Sequence, residues 1–123
     1  LKNAYSSLKD NGKLIFTTLN GLFPLFHSVK DFINQNSVEG KSENNTFDLM
    51  TFRDFSVYET TDDRGNKKTL RCNERYYIPS EITWLLKSAG FKKIEIFGCT
   101  SDAFSRNDRL TIDDFEMLVV TDK

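Results

Sequence analysis

Two short runs of apolar and β-branched residues, one near each end of the chain, most restrict what this sequence can fold into. They cover Lys13–Leu19 and Phe115–Thr121. Nearly continuous runs of this length are typical of strands that are covered on both faces, as in an α/β sheet. A third run, Lys92–Cys99, alternates apolar and charged residues and predicts a half-buried strand. The chain is therefore predicted to have an α/β fold.

A helix precedes the first of these strands. Its apolar residues recur three and four positions apart, at Leu1, Ala4, Tyr5 and Leu8. Gly12 follows and is suited to the left-handed residue that ends such a helix. No capping residue precedes Leu1, so we expect this helix to have lost its start, and the chain to continue upstream.

Two more helices are predicted farther along the chain. Apolar residues recur at helical spacing over residues 22–33, before a polar stretch over 34–46 that reads as a loop. Ser80 is expected to cap the clearest helix. Gly90 is expected to end that helix in a left-handed conformation, with Phe91 against Leu86.

A β-hairpin is predicted between these two helices. Residues 47–61 and 67–78 are rich in β-formers, and residues 62–66 form the loop with Gly65 at positive φ. The alternation changes phase between Leu49 and Met50, which indicates a bulge. Both faces of the second strand are mixed in polarity, so we expect the hairpin to lie on the surface of the domain.

Composition excludes several classes of protein. The 123 residues suffice for one domain, and a formal net charge of −1 argues against nucleic-acid binding through bulk positive charge. No segment resembles a signal peptide or a membrane span, so we expect a cytoplasmic protein without a membrane partner. Cys72 and Cys99 are expected to be free thiols. His27 is the one histidine, and no metal site is predicted.

Three segments together resemble the carboxyl-terminal half of class I S-adenosylmethionine-dependent methyltransferases. Residues 8–16, Leu-Lys-Asp-Asn-Gly-Lys-Leu-Ile-Phe, resemble the L-K-x-G-G-x-L-x-F turn before that family's fifth strand, with Asn11 in place of the first glycine. Residues 76–91 resemble its Y-x-x-x-E-L-x-x-L-L-x-x-A-G-F helix before the sixth strand. Residues 115–122 resemble the antiparallel seventh strand, which the family inserts between strands five and six.

The resemblance implies a partial Rossmann-like methyltransferase sheet with strands in the order 5-7-6, flanking helices and an added hairpin at 47–78. Residues 1–123 would form a single unit, the C-terminal part of a methyltransferase domain. The parent would transfer a methyl group from S-adenosylmethionine to an unidentified small-molecule or protein acceptor. The family's glycine-rich cofactor loop has no counterpart here, since no G-x-G occurs. We therefore expect no cofactor-binding residues in this chain and no activity from it alone.

Four residues are candidates for the acceptor side of the site. Asn20 follows the first strand, where α/β sheets place ligands, although it also fits an ordinary turn. His27 could act as a general base or simply pack on its helix. Arg75 and Tyr77 are expected on one strand face, where they could hold an acidic or aromatic acceptor. The alternative is an edge strand with an extended arginine and a packed tyrosine.

Other interpretations stay open at this level. With no fourth strand beside it, strand 13–19 would be an exposed apolar edge that supports self-association or a complementary chain. A non-catalytic, methyltransferase-like binding or regulatory module that acts with a partner chain is the main alternative function. A third is an unrelated α+β ligand-binding domain whose hairpin belongs to the main sheet.

Overall fold

The structure is a computed structural model, and it describes residues 1–27, 46–99 and 105–123. In chain order, its helices and strands are α1 (Lys2–Ser7), β1 (Lys13–Leu19), α2 (Leu22–Phe26), β2 (Thr46–Asp48), β3 (Arg53–Thr61), β4 (Lys67–Arg75), α3 (Pro79–Ala89), β5 (Lys92–Cys99) and β6 (Glu116–Asp122). The chain divides into two compact units. The first joins Leu1–Phe23 with Tyr77–Lys123, and the second is Pro24–Tyr76.

The first unit is built on a three-stranded sheet in the order β1-β6-β5. The last strand of the chain lies between the other two and runs antiparallel to both, as the family resemblance implies. Val119 is paired with Phe16 on one side and with Ile96 on the other. Since β1 and β5 both oppose β6, they run parallel to each other, and their carboxyl ends meet at one edge of the sheet.

Burial differs sharply between the two apolar strands. From Met117 to Thr121 every residue of β6 is buried, as expected for a strand with a neighbour on each side. The prediction that strand 13–19 is covered on both faces is wrong for the described residues. Phe16 is half-buried on the face that packs on the core, whereas the side chain of Ile15 points to the other face and is 61% exposed.

The main core lies between one face of this sheet and the helices α1 and α3. Its buried residues are Ile82, Leu86, Phe91, Met117 and Val119. Tyr5 of α1 packs against this cluster, and its ring meets the Phe91 ring edge to face at a centroid distance of 5.1 Å. The predicted apolar stripe of α3 therefore packs on the core, as do Tyr5 and Leu8 of the predicted α1 stripe, whereas Leu1 is exposed.

The two ends of α3 differ in how well they follow the sequence prediction. Phe91 donates its backbone N–H to the Leu86 carbonyl (3.1 Å) and Gly90 adopts φ +103°, which confirms the predicted helix end. Ser80 is not the capping residue. Pro79 occupies the first turn, where its missing N–H costs nothing, so the helix begins before Ser80 and Ile78 is the residue at its cap.

The second unit holds a separate antiparallel sheet in the order β2-β3-β4. Its β3–β4 hairpin turns at residues 62–66 with Gly65 at φ +81°, as predicted. The predicted bulge at Leu49–Met50 is wrong, because these residues form a turn that joins β2 to β3. The Asp48 carboxylate accepts the backbone N–H of Met50 at 2.9 Å and thereby stabilises this turn.

The hairpin sheet is distinct from the main sheet, so the α+β interpretation with the hairpin inside the main sheet is wrong. The predicted continuation of α2 to residue 33 and the polar loop that follows it lie outside the described residues. Among the helices of the described ranges, none has the length and apolar character needed to cross a membrane.

Truncation of Leu86 tests this assignment of the core. Its side chain is fully buried, so Leu86→Ala is expected to lower the free energy of unfolding by about 2–5 kcal/mol. Trp84 lies on the same helix and is 68% exposed, so Trp84→Ala is the matched control and should change stability by less than about 1 kcal/mol. Chemical denaturation followed by circular dichroism measures both. Equal losses would contradict the core described here.

Candidate functional site

The carboxyl ends of β1 and β5 form one edge of the main sheet, which we call the carboxyl edge. It comprises the ends of these strands, Asn20 and residues 111–115, which lead into β6. Ligands of open α/β sheets bind outside the carboxyl ends of parallel strands. This edge is therefore the part of the first unit where a functional site is expected.

Asn20 organises the carboxyl edge from a fully buried position. Its side-chain Nδ2 donates to the backbone carbonyls of Thr111 (3.2 Å) and Asp114 (2.8 Å). Its Oδ1 accepts the backbone N–H of Leu22 at 3.1 Å, at the start of α2. Both amide hydrogens are thus used within the protein. Asn20 lies at the predicted place, but its geometry fits a residue that positions the surrounding loops rather than one that binds a ligand itself.

Tyr77 lies beside Asn20, as a parallel bridge on the outer side of β1. Its backbone N–H donates to the Leu19 carbonyl (3.0 Å), and its own carbonyl accepts the N–H of Gly21 (2.9 Å). The side chain packs on the main core. It also lines an open cleft of about 550 Å³ together with Leu1, Lys2, Asn3, Leu85, Ser88 and Ala89.

Gly98, in β5, lies at the carboxyl edge directly beside the side chain of Asp114. A Cβ at this position would lie 2.8 Å from a carboxylate oxygen of Asp114, so a larger residue would require that carboxylate to move. The same carboxylate accepts the backbone N–H of Thr111 (2.6 Å) and its hydroxyl (2.8 Å). Sequence analysis missed this role of Asp114. A glycine inside an alternating strand, which often marks a close approach of another group, was the available signal.

Cys99, a cysteine and so a potentially reactive residue, lies at the carboxyl edge. It is buried, and its Sγ lies 3.8 Å from a carboxylate oxygen of Glu116 on the paired strand. Burial raises the pKa of the Cys99 thiol, and the negative charge of Glu116 raises it further. The residue is therefore held as a neutral thiol at neutral pH, which does not suit a nucleophile.

Arg75 and His27 belong to the second unit. Since β4 ends at Arg75 and Tyr77 pairs with the end of β1, the prediction that Arg75 and Tyr77 share a strand face is wrong. The Arg75 guanidinium donates to the Thr51 carbonyl and lies 6.0 Å from the centre of the Phe52 ring. His27 follows α2 directly and is half-buried. Of the four predicted residues, the structure thus brings Asn20 and Tyr77 together.

A polar face of the hairpin sheet was not anticipated from the sequence. Asp54 and Ser56 lie two positions apart on β3, and both side chains are buried, at 6% and 2% exposure. Within the described residues, the Oδ1 of Asp54 and the Oγ of Ser56 have no hydrogen-bond partner. Burial raises the pKa of the Asp54 carboxyl, and the charge of Glu74 directly across the hairpin raises it further. Burial also raises the pKa of Tyr76, which directly follows β4.

No group of three or more histidine, cysteine, aspartate or glutamate side chains within residues 1–27, 46–99 and 105–123 is arranged to hold a metal ion. Cys72 and Cys99 are both free thiols.

Comparison with known proteins gives a structural match. No family model matches the sequence, and no curated protein matches it. Among solved structures, the chain is similar to the CcbJ methyltransferase from Streptomyces caelestis, with a TM-score of 0.63 and 13% sequence identity. The match covers 98% of this chain and 50% of that one. The chain thus has a mixed α/β fold similar to part of a methyltransferase, and it spans half the length of that protein.

Replacing Asn20 tests its role at the carboxyl edge. Asn20→Asp keeps the acceptor for Leu22 but loses the donors to two carbonyls and brings a negative charge near them. We expect the free energy of unfolding to fall by about 2–4 kcal/mol. Asn107→Asp, at an exposed position, is the control and should change it by about 0.5 kcal/mol or less. Equal effects in denaturant titrations would show that Asn20 does not hold this edge together.

The raised pKa of Asp54 predicts a dependence of stability on pH. The folded protein holds the proton of Asp54 more tightly than the unfolded chain, so stability is lost as pH rises above the unfolded value, about 3.9. Asp54→Asn should therefore be more stable than the wild-type protein at pH 7, and the difference should disappear towards pH 3.5. Asp63→Asn, in the exposed hairpin loop, is the control. A difference that stays constant with pH would contradict the prediction.

Proposed function

We propose that this chain is the C-terminal part of a class I S-adenosylmethionine-dependent methyltransferase domain. In this proposal β1, β6 and β5 correspond to the family's fifth, seventh and sixth strands. The observation that carries the proposal is the position of β6, an antiparallel strand inserted between two parallel ones. The structural match to half of a methyltransferase supports the same interpretation. Three sequence segments, over residues 8–16, 76–91 and 115–122, support it independently.

The described residues do not fit the cofactor itself. Close approach of a nucleotide-like ligand to a backbone needs glycines with open space around them. The space beside Gly98 at the carboxyl edge is filled by the Asp114 carboxylate, and the amide of Asn20 is fully engaged within the protein. We therefore assign cofactor binding to a part of the parent protein other than this chain, and we derive no catalytic step from it.

The proposed contribution of this chain is to shape the acceptor side of the site. Asn20 holds the end of β1 against residues 111–114, and Tyr77 stands next to it at the same edge. Methyltransferases depend strongly on correct placement of two reactants, so a rigid edge without an acid–base pair is sufficient for this role. The chemical identity of the methyl acceptor is not part of the proposal. The proposed location is the cytoplasm, which two free thiols fit.

The test uses the reading frame of the gene upstream of Leu1. The proposal expects that frame to encode a glycine-rich turn between a strand and a helix, followed by an acidic residue about 20 positions later. The longer chain should bind S-adenosylmethionine with micromolar affinity in calorimetry, whereas residues 1–123 alone should show no saturable binding at millimolar ligand. ATP is the ligand control, because it shares the adenosine group.

Two results would contradict the proposal. Failure of the longer chain to bind S-adenosylmethionine would oppose the enzyme assignment, and micromolar binding by residues 1–123 alone would oppose the assignment of the cofactor to another part. A start codon directly before Leu1 would instead favour the alternative, a non-catalytic methyltransferase-like module that acts with a partner chain.

A further inference from the structure

The outer edge of β4 carries backbone groups that no other strand of the described residues uses. Tyr76, directly after β4, donates its N–H to the Phe52 carbonyl opposite it at 2.8 Å. At the other end of the hairpin, Asp62 donates to the Asn66 carbonyl at 2.9 Å. Both bonds join even-numbered residues, so the even-numbered residues of β4 face β3. The odd-numbered residues therefore direct their N–H and C=O groups outward.

This edge is accessible to solvent. Seven of the nine residues of β4 are exposed, and the other two are half-buried. The hairpin itself defines the edge, because the turn at residues 62–66 joins β3 to β4 within one continuous stretch of chain. At the end of β4, the guanidinium of Arg75 is used within the hairpin unit, where it donates to the Thr51 carbonyl. The part of the edge that can accept another strand is therefore 67–73.

Positive charge is concentrated on the sheet face that these outward-bonding residues share. Because backbone direction and side-chain direction alternate with the same period, Lys67 and Arg71 lie on one face with Thr69 between them. Arg53 of β3 lies on this face as well, and its Nη1 donates to the Oδ1 of Asn73 at 2.8 Å. In the part of the chain that the structure describes, none of these three cations forms an ion pair.

We propose that this edge binds an extended acidic segment of another protein, which adds to the hairpin sheet as an antiparallel fourth strand. The backbone of the segment exchanges hydrogen bonds with Lys67, Thr69 and Arg71. Two of its carboxylates, four residues apart, face Lys67 and Arg71 on the basic side of the sheet. The proposal concerns the hairpin alone, goes beyond the proposed function and does not depend on it.

The charges decide which strand this edge accepts. Charged side chains, lysine above all, protect strand edges from indiscriminate pairing. Antiparallel pairing of two copies of β4 about Thr69 would set Lys67 against Arg71, and pairing about Arg71 would set that residue against itself. An acidic strand makes opposite-charge pairs at both positions instead, so the edge rejects a second copy and selects an acidic partner. Glu59, opposite Thr69, is the one acidic residue that β3 and β4 place on this face.

The hydrogen-bonding groups favour a peptide over a nucleic acid. Each outward-facing residue of β4 offers a donor and an acceptor, and a peptide backbone matches both. Phosphate oxygens accept hydrogen bonds but cannot donate to the outward carbonyls. A formal net charge of −1 for the whole chain also disfavours a long polyanion.

The opposite face of β4 determines which residues suit the positions between the two carboxylates. Leu70 is 49% exposed, so an apolar β-branched residue gains contact when it lies opposite. Lys68 is already held by the Asp62 carboxylate at 3.2 Å, so a neutral residue suits the position opposite it. A threonine opposite Thr69 adds a hydroxyl pair. The preferred segment, from the residue opposite Arg71 onward, is therefore Glu-Val-Thr-Thr-Glu.

Calorimetric titration of the full chain with a peptide of about nine residues, blocked at both ends and centred on Glu-Val-Thr-Thr-Glu, tests the charge pairing. Lys67→Glu combined with Arg71→Glu should weaken binding by about tenfold or more, because two attractive pairs become repulsive. A peptide with lysine in place of both glutamates should bind this variant more tightly than it binds the wild-type chain. Lys9→Glu with Lys87→Glu changes the net charge equally at exposed positions of the first unit, so it is the matched control and should bind like the wild type. Circular dichroism confirms that both variants fold.

N-methylated peptides test the strand pairing separately. In the proposed register, the N–H of the peptide threonine opposite Thr69 points at the Thr69 carbonyl, so its N-methylation should weaken binding by about tenfold or more. The N–H of the preceding valine points away from β4. N-methylation of that valine is therefore the matched control, and it should leave the affinity nearly unchanged.

Several outcomes would overturn the proposal. Absence of saturable peptide binding at millimolar concentration would leave the charges as protection of the edge only. Equal losses in the two charge variants would reject the assigned face, and equal losses in the two N-methylated peptides would reduce the interaction to charge attraction without strand pairing. An oligouridylate that binds more tightly than the peptide would identify a nucleic acid as the occupant instead.

Discussion

The pairing of β6 with a strand on each side is the interaction on which the first unit depends. Residues from Met117 to Thr121 are buried, and a buried backbone must have its hydrogen bonds satisfied within the protein. β1 and β5 supply these partners, and the hydroxyl of Thr121 adds a bond to the Lys92 carbonyl at 2.8 Å. Because both neighbours oppose β6, they are parallel, and this alone creates a carboxyl edge.

The chemistry available at that edge follows from how the chain returns to β6. Residues 111–115 must pass the ends of both outer strands before β6 begins. Asn20 holds this segment through two carbonyls, and the carboxylate of Asp114 occupies the space beside Gly98. The polar groups that sequence patterns suggest for a ligand are thus largely used to hold the edge together. This is consistent with a chain that shapes a site whose reactive components come from elsewhere.

The hairpin unit shows the opposite use of polar residues. Asp54 and Ser56 are buried, and among the described residues one oxygen of each has no hydrogen-bond partner, which costs stability. Residues of this kind reduce stability where they stand, and they are often retained for a role other than folding. Asp54 is therefore a functional candidate because of its buried environment, and no sequence motif points to it.

The sequence by itself determined the strands at 13–19, 92–99 and 115–121, the helix that ends at Gly90, and the hairpin turn at Gly65. Each of these elements rests on local periodicity or on a backbone conformation that favours glycine. The order β1-β6-β5 was inferred from resemblance to a family rather than from local pattern. Only the tertiary structure decided which strand face is exposed, since an apolar run looks the same whether its strand is central or at an edge. It also decided that the amide of Asn20 is consumed within the protein, that Tyr77 pairs with β1 instead of continuing β4, and that Asp114 lies against Gly98. These contacts join residues far apart in the chain, and no local pattern contains them.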